Sequence, residues 1–376
     1  MKVALAFGTR PEAIKMAPVI AAMREHPGIK TEIVLTAQHR ELLDQVLDVF
    51  GVRADHDLNV MQPRQSLAEL SSRLMVALDR WLEQSRPDLL MVQGDTTSAF
   101  IGALAAFYRH VPVAHIEAGL RTADPRVPFP EEMNRRLITR VATQHFAPTK
   151  QARRALLNEG VGDQAIFVTG NTVVDALHTI RESPALARTP LPIEPRANDV
   201  IILVTMHRRE SWDHIGDVCA ALADVVSTRP HARVVFPVHP NPAVRESVRA
   251  SLHGVDRVEL IDPLDYLAFV KMMIASKVIV TDSGGVQEEA PVLGKPVLVL
   301  REATERSEAI EAGVARLVGT SRAVITTGLL RLLDDEAHWR SMAKPSSPFG
   351  DGKAASRIVS IITGERRPSG EKAAAR

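Results

Sequence analysis

One cysteine, Cys219, serves the whole 376-residue chain. It cannot close an internal disulfide and has no companion thiolate for a metal site, so the sequence fits a reducing compartment and Cys219 reads as a small buried apolar residue. Net charge is nearly missing as well. Forty-six Lys and Arg stand against 45 Asp and Glu, leaving +1 and no field to draw in a polyanion or an acidic membrane surface. Aromatics are few, at 10 Phe, 3 Trp and 2 Tyr, which argues against a base-stacking platform. Nucleic acid is disfavoured as a partner on both grounds. No uncharged run reaches the roughly 18 residues of a membrane span. Lys2 is followed only by residues 3–7 before Gly8 and Arg10, too short for the core of a signal peptide. The expectation is a cytoplasmic protein with no membrane partner.

Several catalytic signatures are also missing. No G-x-G-x-x-G follows an apolar run, so the usual nicotinamide or flavin fingerprint is absent and no cofactor is expected. Gly294-Lys295 would end a phosphate-binding P-loop, but Glu289 stands where its first glycine belongs and Pro296 where Ser or Thr belongs. His115-Ile116-Glu117 copies the H-x-E of zinc deaminases without the P-C-x-x-C that must accompany it, and no metal is expected. The commonest zinc-protease and Ser-hydrolase motifs do not occur.

What remains is an ordinary globular composition, 45% hydrophobic and 24% charged, on a chain long enough for about two domains. Short apolar runs alternate with longer helical patterns throughout, the signature of parallel sheets with helical crossovers. The expected class is α/β. Strands are predicted at residues 3–7, 32–36, 89–92, 113–116, 145–147 and 166–169, then at 200–204, 234–238, 258–261, 278–280, 297–300 and 316–318. Between the two series Pro184, Pro190, Pro192 and Pro195 interrupt helix and sheet bonding alike and predict a boundary near 170–199. The polar, Ala-rich tail after Gly364 is expected to fray. Open parallel sheets bind ligands outside the carboxyl ends of their strands, so strand-end motifs are predicted to face a cleft between the halves.

Five such motifs stand out. Thr281-Asp282-Ser283-Gly284-Gly285-Val286-Gln287-Glu288-Glu289 follows an apolar run and opens a helix. Two glycines, a hydroxyl and a helix N-terminus form an anion cradle suited to phosphate, and Glu289, one turn on, suits the vicinal hydroxyls of a ribose. The same segment also suits a plain turn with a capping acid. Gly8-Thr9-Arg10-Pro11-Glu12 ends the first run with Lys15 one turn later, so two cations can serve one diphosphate, or simply line a solvated junction. His207-Arg208-Arg209-Glu210 offers a phosphate ligand or leaving-group acid, or a surface ion pair. Gln93-Gly94-Asp95 and His115-Ile116-Glu117 each end a run with a carboxylate, and Pro130-Glu131-Glu132 adds a third acidic group with Arg135 one turn after Glu131. Any one of these acids alone reads as a cap or salt bridge. Together, near cations, they fit proton transfer on a phosphorylated substrate.

These motifs, with AQHRELLDQVL from Ala37, GNTVVD from Gly170, PVHPNP from Pro237 and Thr304-Glu305-Arg306, resemble in order and over nearly the whole chain the non-hydrolysing UDP-N-acetylglucosamine 2-epimerases. The resemblance implies two Rossmann-like domains facing across a cleft, as in glycosyltransferase-B-like enzymes: 1–170 plus a C-terminal helix within 351–376 as the catalytic domain, and 171–350 as the UDP-binding domain. It implies Asp95, Glu117 and Glu131 as catalytic carboxylates, supported by Arg135 and His207. It implies Ser283, Gly284, Gly285, Arg306, Arg10 and Lys15 at the diphosphate, Glu289 at the ribose and Phe269 near the uracil. It further implies a homodimer, and UDP-N-acetylglucosamine as substrate and as its own activator at Gln38, Arg64, Gln65, Glu131, Arg208 and His239. Ser211 stands where the family often has Asn, a change expected to touch loop packing and not chemistry.

Chemistry narrows the mechanism. No carbonyl acidifies the C2 hydrogen of an acetamido sugar, and oxidation at C3 would need a redox cofactor for which the sequence has no fingerprint. Loss of UDP from C1 with the C2 proton, through a 2-acetamidoglucal, is the expected route. A hydrolysing epimerase, a glycosyltransferase on the same fold and a non-catalytic nucleotide-sugar sensor are the rival readings; the sensor has no need of all three carboxylates.

Overall fold

The computed structural model describes residues 1–36, 40–62, 65–194 and 196–365, without the side chains of 40–42 and 209–211. Gln38, Arg64, Pro195 and the tail beyond residue 365 lie outside the described residues. By contact the chain forms two compact units, one holding residues 1–179 and the described residues from Phe349 on, the other Ile180–Pro348.

In unit 1 the strands are β1 (Lys2–Phe7), β2 (Lys30–Leu35), β3 (His56–Asp57), β4 (Leu89–Gln93), β5 (Val113–Ile116), β6 (Gln144–Ala147) and β7 (Ile166–Val168). They make a parallel sheet in the order β3-β2-β1-β4-β5-β6-β7. Unit 2 contains β8 (Val200–Thr205), β9 (Ala232–Pro237), β10 (Val258–Ile261), β11 (Val278–Thr281), β12 (Val297–Val299) and β13 (Ala315–Leu317), parallel in the order β10-β9-β8-β11-β12-β13. Each is a Rossmann-like unit, with the reversal of strand order between β1 and β4 in the first and between β8 and β11 in the second. Helices cover these sheets, so the central strands are continuous apolar runs: Val3, Ala4, Leu5, Ala6 and Phe7 are all buried, as are Val278, Ile279 and Val280. Each fully buried Leu or Phe side chain contributes roughly 1.5–3 kcal/mol.

The sequence did not announce β3, whose two polar residues are exposed and carry no apolar pattern. Nor is the stretch after residue 180 free of helix. Pro184 lacks an N–H that the first turn does not need, and it opens the short helix Pro184–Arg188 behind the Ser183 cap. The units divide inside the helix Thr172–Glu182. The start of that helix is tied to the returning chain: Asn171 N–H donates to the Phe349 carbonyl at 2.6 Å, and Asp175 accepts the Ala355 N–H at 2.9 Å. The final helix, Ala354–Ile362, then packs on the first, Arg10–Arg24. No described helix is long and apolar enough to cross a membrane.

Two neighbouring histidines lie inside unit 1. His115 on β5 faces His145 on β6 in register, and both are buried. Burial pushes the His115 imidazole down to about 3 and the His145 imidazole down to about 4, so both stay neutral when folded. The unfolded chain protonates them near 6.5, so the stability they support is complete above that pH and drains away as pH falls from 6.5 toward the folded values. At pH 5 the expected loss is about 2 kcal/mol per histidine. Denaturant unfolding at pH 7 and pH 5 checks this: the double variant His115→Gln/His145→Gln should lose about 4 kcal/mol less on acidification than the parent.

Candidate active site

In each unit most of the sequence motifs lie at carboxyl ends of strands, several of them on either side of the reversal, where neighbouring loops diverge and leave room for a ligand. In unit 1 these are the loops after β1 and β4. Glu12, which the sequence reading gave no role, ties them together. Its buried carboxylate accepts the N–H groups of Gly8 at 2.9 Å and Thr9 at 2.7 Å, and the Thr96 hydroxyl at 2.5 Å. Burial raises that carboxyl above its ordinary range even against these bonds. Arg10, half-buried, begins the helix that Thr9 caps.

Asp95 follows β4 and is held by Arg135, whose Nε and Nη2 lie 2.8 and 2.6 Å from Oδ2. Arg135 is buried, and its Nη1 donates to Glu132 at 3.1 Å. Glu132 has no exposed surface and also accepts from Arg136 at 2.9 Å and from the Thr122 N–H at 3.1 Å. The adjacent Asn134 side chain donates to the Asp95 carbonyl at 2.9 Å. The helix Glu131–Val141 thus presents Glu131 half-buried on its first turn and grips the Asp95 loop one turn later. From β5, His115 Nε2 lies 2.7 Å from the Gly94 carbonyl and donates to it, steadying the same loop.

Glu117 is the most constrained of these acids. It sits just past β5 at φ +64°, a left-handed conformation that costs a residue with a Cβ on the order of 1–3 kcal/mol. Its Oε2 takes an ion pair from Lys15, with Gln93 at 3.0 Å and Asn171 at 3.2 Å donating to the same oxygen. Two residues on, Gly119 at φ +94° could not carry a Cβ, which would lie 2.3 Å from the Ala152 carbonyl oxygen. Lys15, expected at a diphosphate, therefore has its ammonium on Glu117.

In unit 2 the loops after β8 and β11 are pinned by the Thr205 and Thr281 hydroxyls, 2.6 Å apart. The helix Gly284–Val292 starts at Ser283, whose side chain makes no capping bond, and no acid occupies its first turn. Its leading N–H groups and their positive end therefore face whatever the loop holds. Arg306 lies over them: a Cβ on Gly284 would come 2.5 Å from the guanidinium carbon. That guanidinium bonds Glu288 at 2.9 Å and pairs with Glu305, which Arg301 also reaches at 2.8 Å. Arg208 stands 3.6 Å from Glu305. Glu289 accepts the Tyr266 hydroxyl at 2.7 Å, and half-buried Phe269 is one turn from Tyr266 on the helix Tyr266–Ala275. His207 Nδ1 lies 2.8 Å from Asp282, a fully buried carboxylate.

Of the positions expected to bind an activator, Gln65 accepts from Arg73 at 3.1 Å in unit 1. His239 follows β9 in unit 2, with its ring centroid 6.0 Å from that of Trp212. Burial and the His207 charge hold its imidazole below the ordinary value. The sequence reading missed the partners: Glu12, Glu132, Asn171, Tyr266, Asp282, Glu288 and Glu305. Most stood inside quoted motifs, where a second acid beside the chosen one was the available signal. No cluster of metal-ligating side chains occurs among the described residues.

The family described as UDP-N-acetylglucosamine 2-epimerase matches residues 21–363. A probable UDP-N-acetylglucosamine 2-epimerase of Ralstonia nicotianae is 50% identical, with 96% of this chain and 98% of that protein covered. The UDP-N-acetylglucosamine 2-epimerase of Escherichia coli is 48% identical, with 97% and 99% covered. Among solved structures, the Neisseria meningitidis UDP-GlcNAc 2-epimerase bound to UDP-GlcNAc matches with a TM-score of 0.93 at 44% identity, covering 97% of this chain and 100% of that one.

Proposed function

The chain belongs to the UDP-N-acetylglucosamine 2-epimerase family, and from that premise we propose that it interconverts UDP-N-acetylglucosamine and UDP-N-acetylmannosamine by eliminating and re-adding UDP. The observation that carries the reading is the pair Asp95 and Glu117 at adjacent strand ends, each held by its own buried cation. Carboxylates fixed in this way suit proton transfer at a sugar carbon.

In the first half-reaction the C1–O bond breaks with its electrons going to the UDP diphosphate, and the C2 proton passes to a carboxylate, leaving a C1=C2 double bond. In the second, C2 is protonated from the opposite face and a diphosphate oxygen attacks C1. Asp95, Glu117 and Glu131 share the proton transfers and stabilise positive charge at C1. Ser283, the first N–H groups of the helix Gly284–Val292, Arg306, Arg10 and His207 stabilise the departing diphosphate, Glu289 binds the ribose and Phe269 the uracil. Lys15 orients Glu117 through their ion pair. The activator reading stands beside this one, with Gln38, Arg64, Gln65, Glu131, Arg208 and His239 as its residues. Reverse kinetics that are hyperbolic and complete without added UDP-N-acetylglucosamine would remove it.

Incubation with UDP-N-acetylglucosamine in deuterated buffer, followed by NMR, tests the function. Deuterium at C2 of both sugars with UDP still attached is expected. Epimerisation that keeps the original C2 hydrogen sinks the mechanism, and accumulation of free UDP with N-acetylmannosamine assigns a hydrolysing enzyme instead.

The UDP cradle has its own test. In Gly284→Ala the new methyl meets the Arg306 guanidinium, which Glu288 and Glu305 keep from swinging aside. Displacing that charge is expected to weaken UDP binding by about tenfold or more in calorimetry. Unchanged affinity would mean that the seat of Arg306 does not matter to the diphosphate.

A further inference from the structure

His207 and Asp282 occupy the carboxyl ends of β8 and β11, the neighbours between which the strand order of unit 2 reverses. Asp282 has no exposed surface, while the His207 side chain is 45% exposed. The Asp282 carboxylate accepts the His207 N–H at 3.1 Å on each oxygen and the Arg208 N–H at 2.9 Å, and it takes the imidazole Nδ1 at 2.8 Å. Burial alone would raise this carboxyl, yet the imidazole and the two backbone donors outweigh it and hold the group below its ordinary value. The acceptor is a carboxylate with no proton to give, so the hydrogen of that bond belongs to Nδ1. An aspartate needed only to shape the turn would be satisfied by the two backbone N–H groups. The third bond fixes a side chain.

We infer that Asp282 is a positioning residue for His207: it locks the imidazole in the Nδ1–H tautomer and aims Nε2 at the diphosphate oxygen that leaves C1. This rests on the epimerase reading and adds to it a residue to which that reading gave no part. Nε2 then accepts a proton from solvent before elimination and, once charged, donates a hydrogen bond to the departing oxygen. With Nδ1 held, the ring cannot rotate away or present the wrong nitrogen.

Asp282→Asn is the decisive variant. Its amide oxygen still serves the backbone donors, but an amide N–H facing the ring favours the opposite tautomer, with Nδ1 as acceptor. A loss of about 10²–10⁴-fold in kcat with KM within about threefold is expected, the scale seen when a His-orienting Asp becomes Asn in the Ser-His-Asp triad. Nitrogen-15 NMR of the ligand-free protein should place the neutral His207 hydrogen on Nδ1 in the parent and on Nε2 in the variant. In a His207→Asn background the same substitution should change kcat by less than about twofold. A parent His207 in the Nε2–H form overturns the inference without any variant. So does an Asp282→Asn protein with kcat within threefold of the parent, or one whose loss is undiminished when His207 is already gone. C2 exchange by the parent is scored in the same preparations: its absence sinks the epimerase reading, whereas the tautomer assignment does not depend on turnover.

Discussion

Glu117→Gln is expected to lower the epimerisation rate by about a thousandfold, the middle of the range for a general acid or base. It should also destabilise unit 1. Lys15, Gln93 and Asn171 all converge on one oxygen of Glu117, and only the ion pair among these contacts involves a formal charge on both sides. A glutamine keeps an oxygen for the three donors but removes the negative charge that faces the buried Lys15 ammonium, and breaking a buried pair in this way costs about 3–5 kcal/mol. The two losses can be separated. In Lys15→Met/Glu117→Gln both charges are gone, so much of the stability should return, because removing a whole buried pair is often close to neutral. Activity should stay lost. Chemical denaturation and the deuterium assay on the same variants check both halves, and activity within tenfold of the parent in Glu117→Gln would remove Glu117 from the proton relay.

Arg135→Met should be nearly as severe. Arg135 holds both the Asp95 carboxylate and fully buried Glu132, and so helps to orient Asp95. Breaking a buried arrangement of this kind costs about 3–5 kcal/mol, even though Arg136 and the Thr122 N–H still serve Glu132. With the Arg135 fork gone from the Asp95 carboxylate, kcat should fall at least a hundredfold. Arg135→Lys should land in between, since a point charge can reach one of the two acids but cannot reproduce the planar fork that holds both. Thermal unfolding and C2 exchange report the two effects. UDP affinity serves as the control: the proposal gives Arg135 no part in holding the diphosphate, so calorimetry should find it unchanged, and a parallel loss would contradict a role for Arg135 confined to proton transfer.

The helices and strands were largely legible because buried parallel strands announce themselves as apolar runs. β5 and β10 begin and end where the runs do, and most others differ by a residue or two at their ends. β3 was not legible, being two exposed polar residues that pair only with β2. In the candidate site, strand-end placement was the signal that singled out Asp95, Glu117, His207 and the loop at Ser283. Spacing along the chain carries no information about which side chains meet across elements. Lys15 lies 102 residues from Glu117, and Asp282 lies 75 from the His207 N–H it accepts. Strand-end placement points Lys15, and the family resemblance points Arg306, to a diphosphate, and the fold gives each of them carboxylate partners that periodicity could not foretell.

Unit 1 is finished by its last-made segment. The helix Ala354–Ile362, which packs on Arg10–Arg24, is translated only after all of Ile180–Pro348. At about 5–20 residues per second, unit 1 waits roughly 10–40 s on the ribosome with that helix missing, while unit 2 emerges whole and can fold first. Synthesis therefore completes the two units in the reverse of the order in which it begins them. A message broken near its end would release unit 2 whole beside an unfinished unit 1.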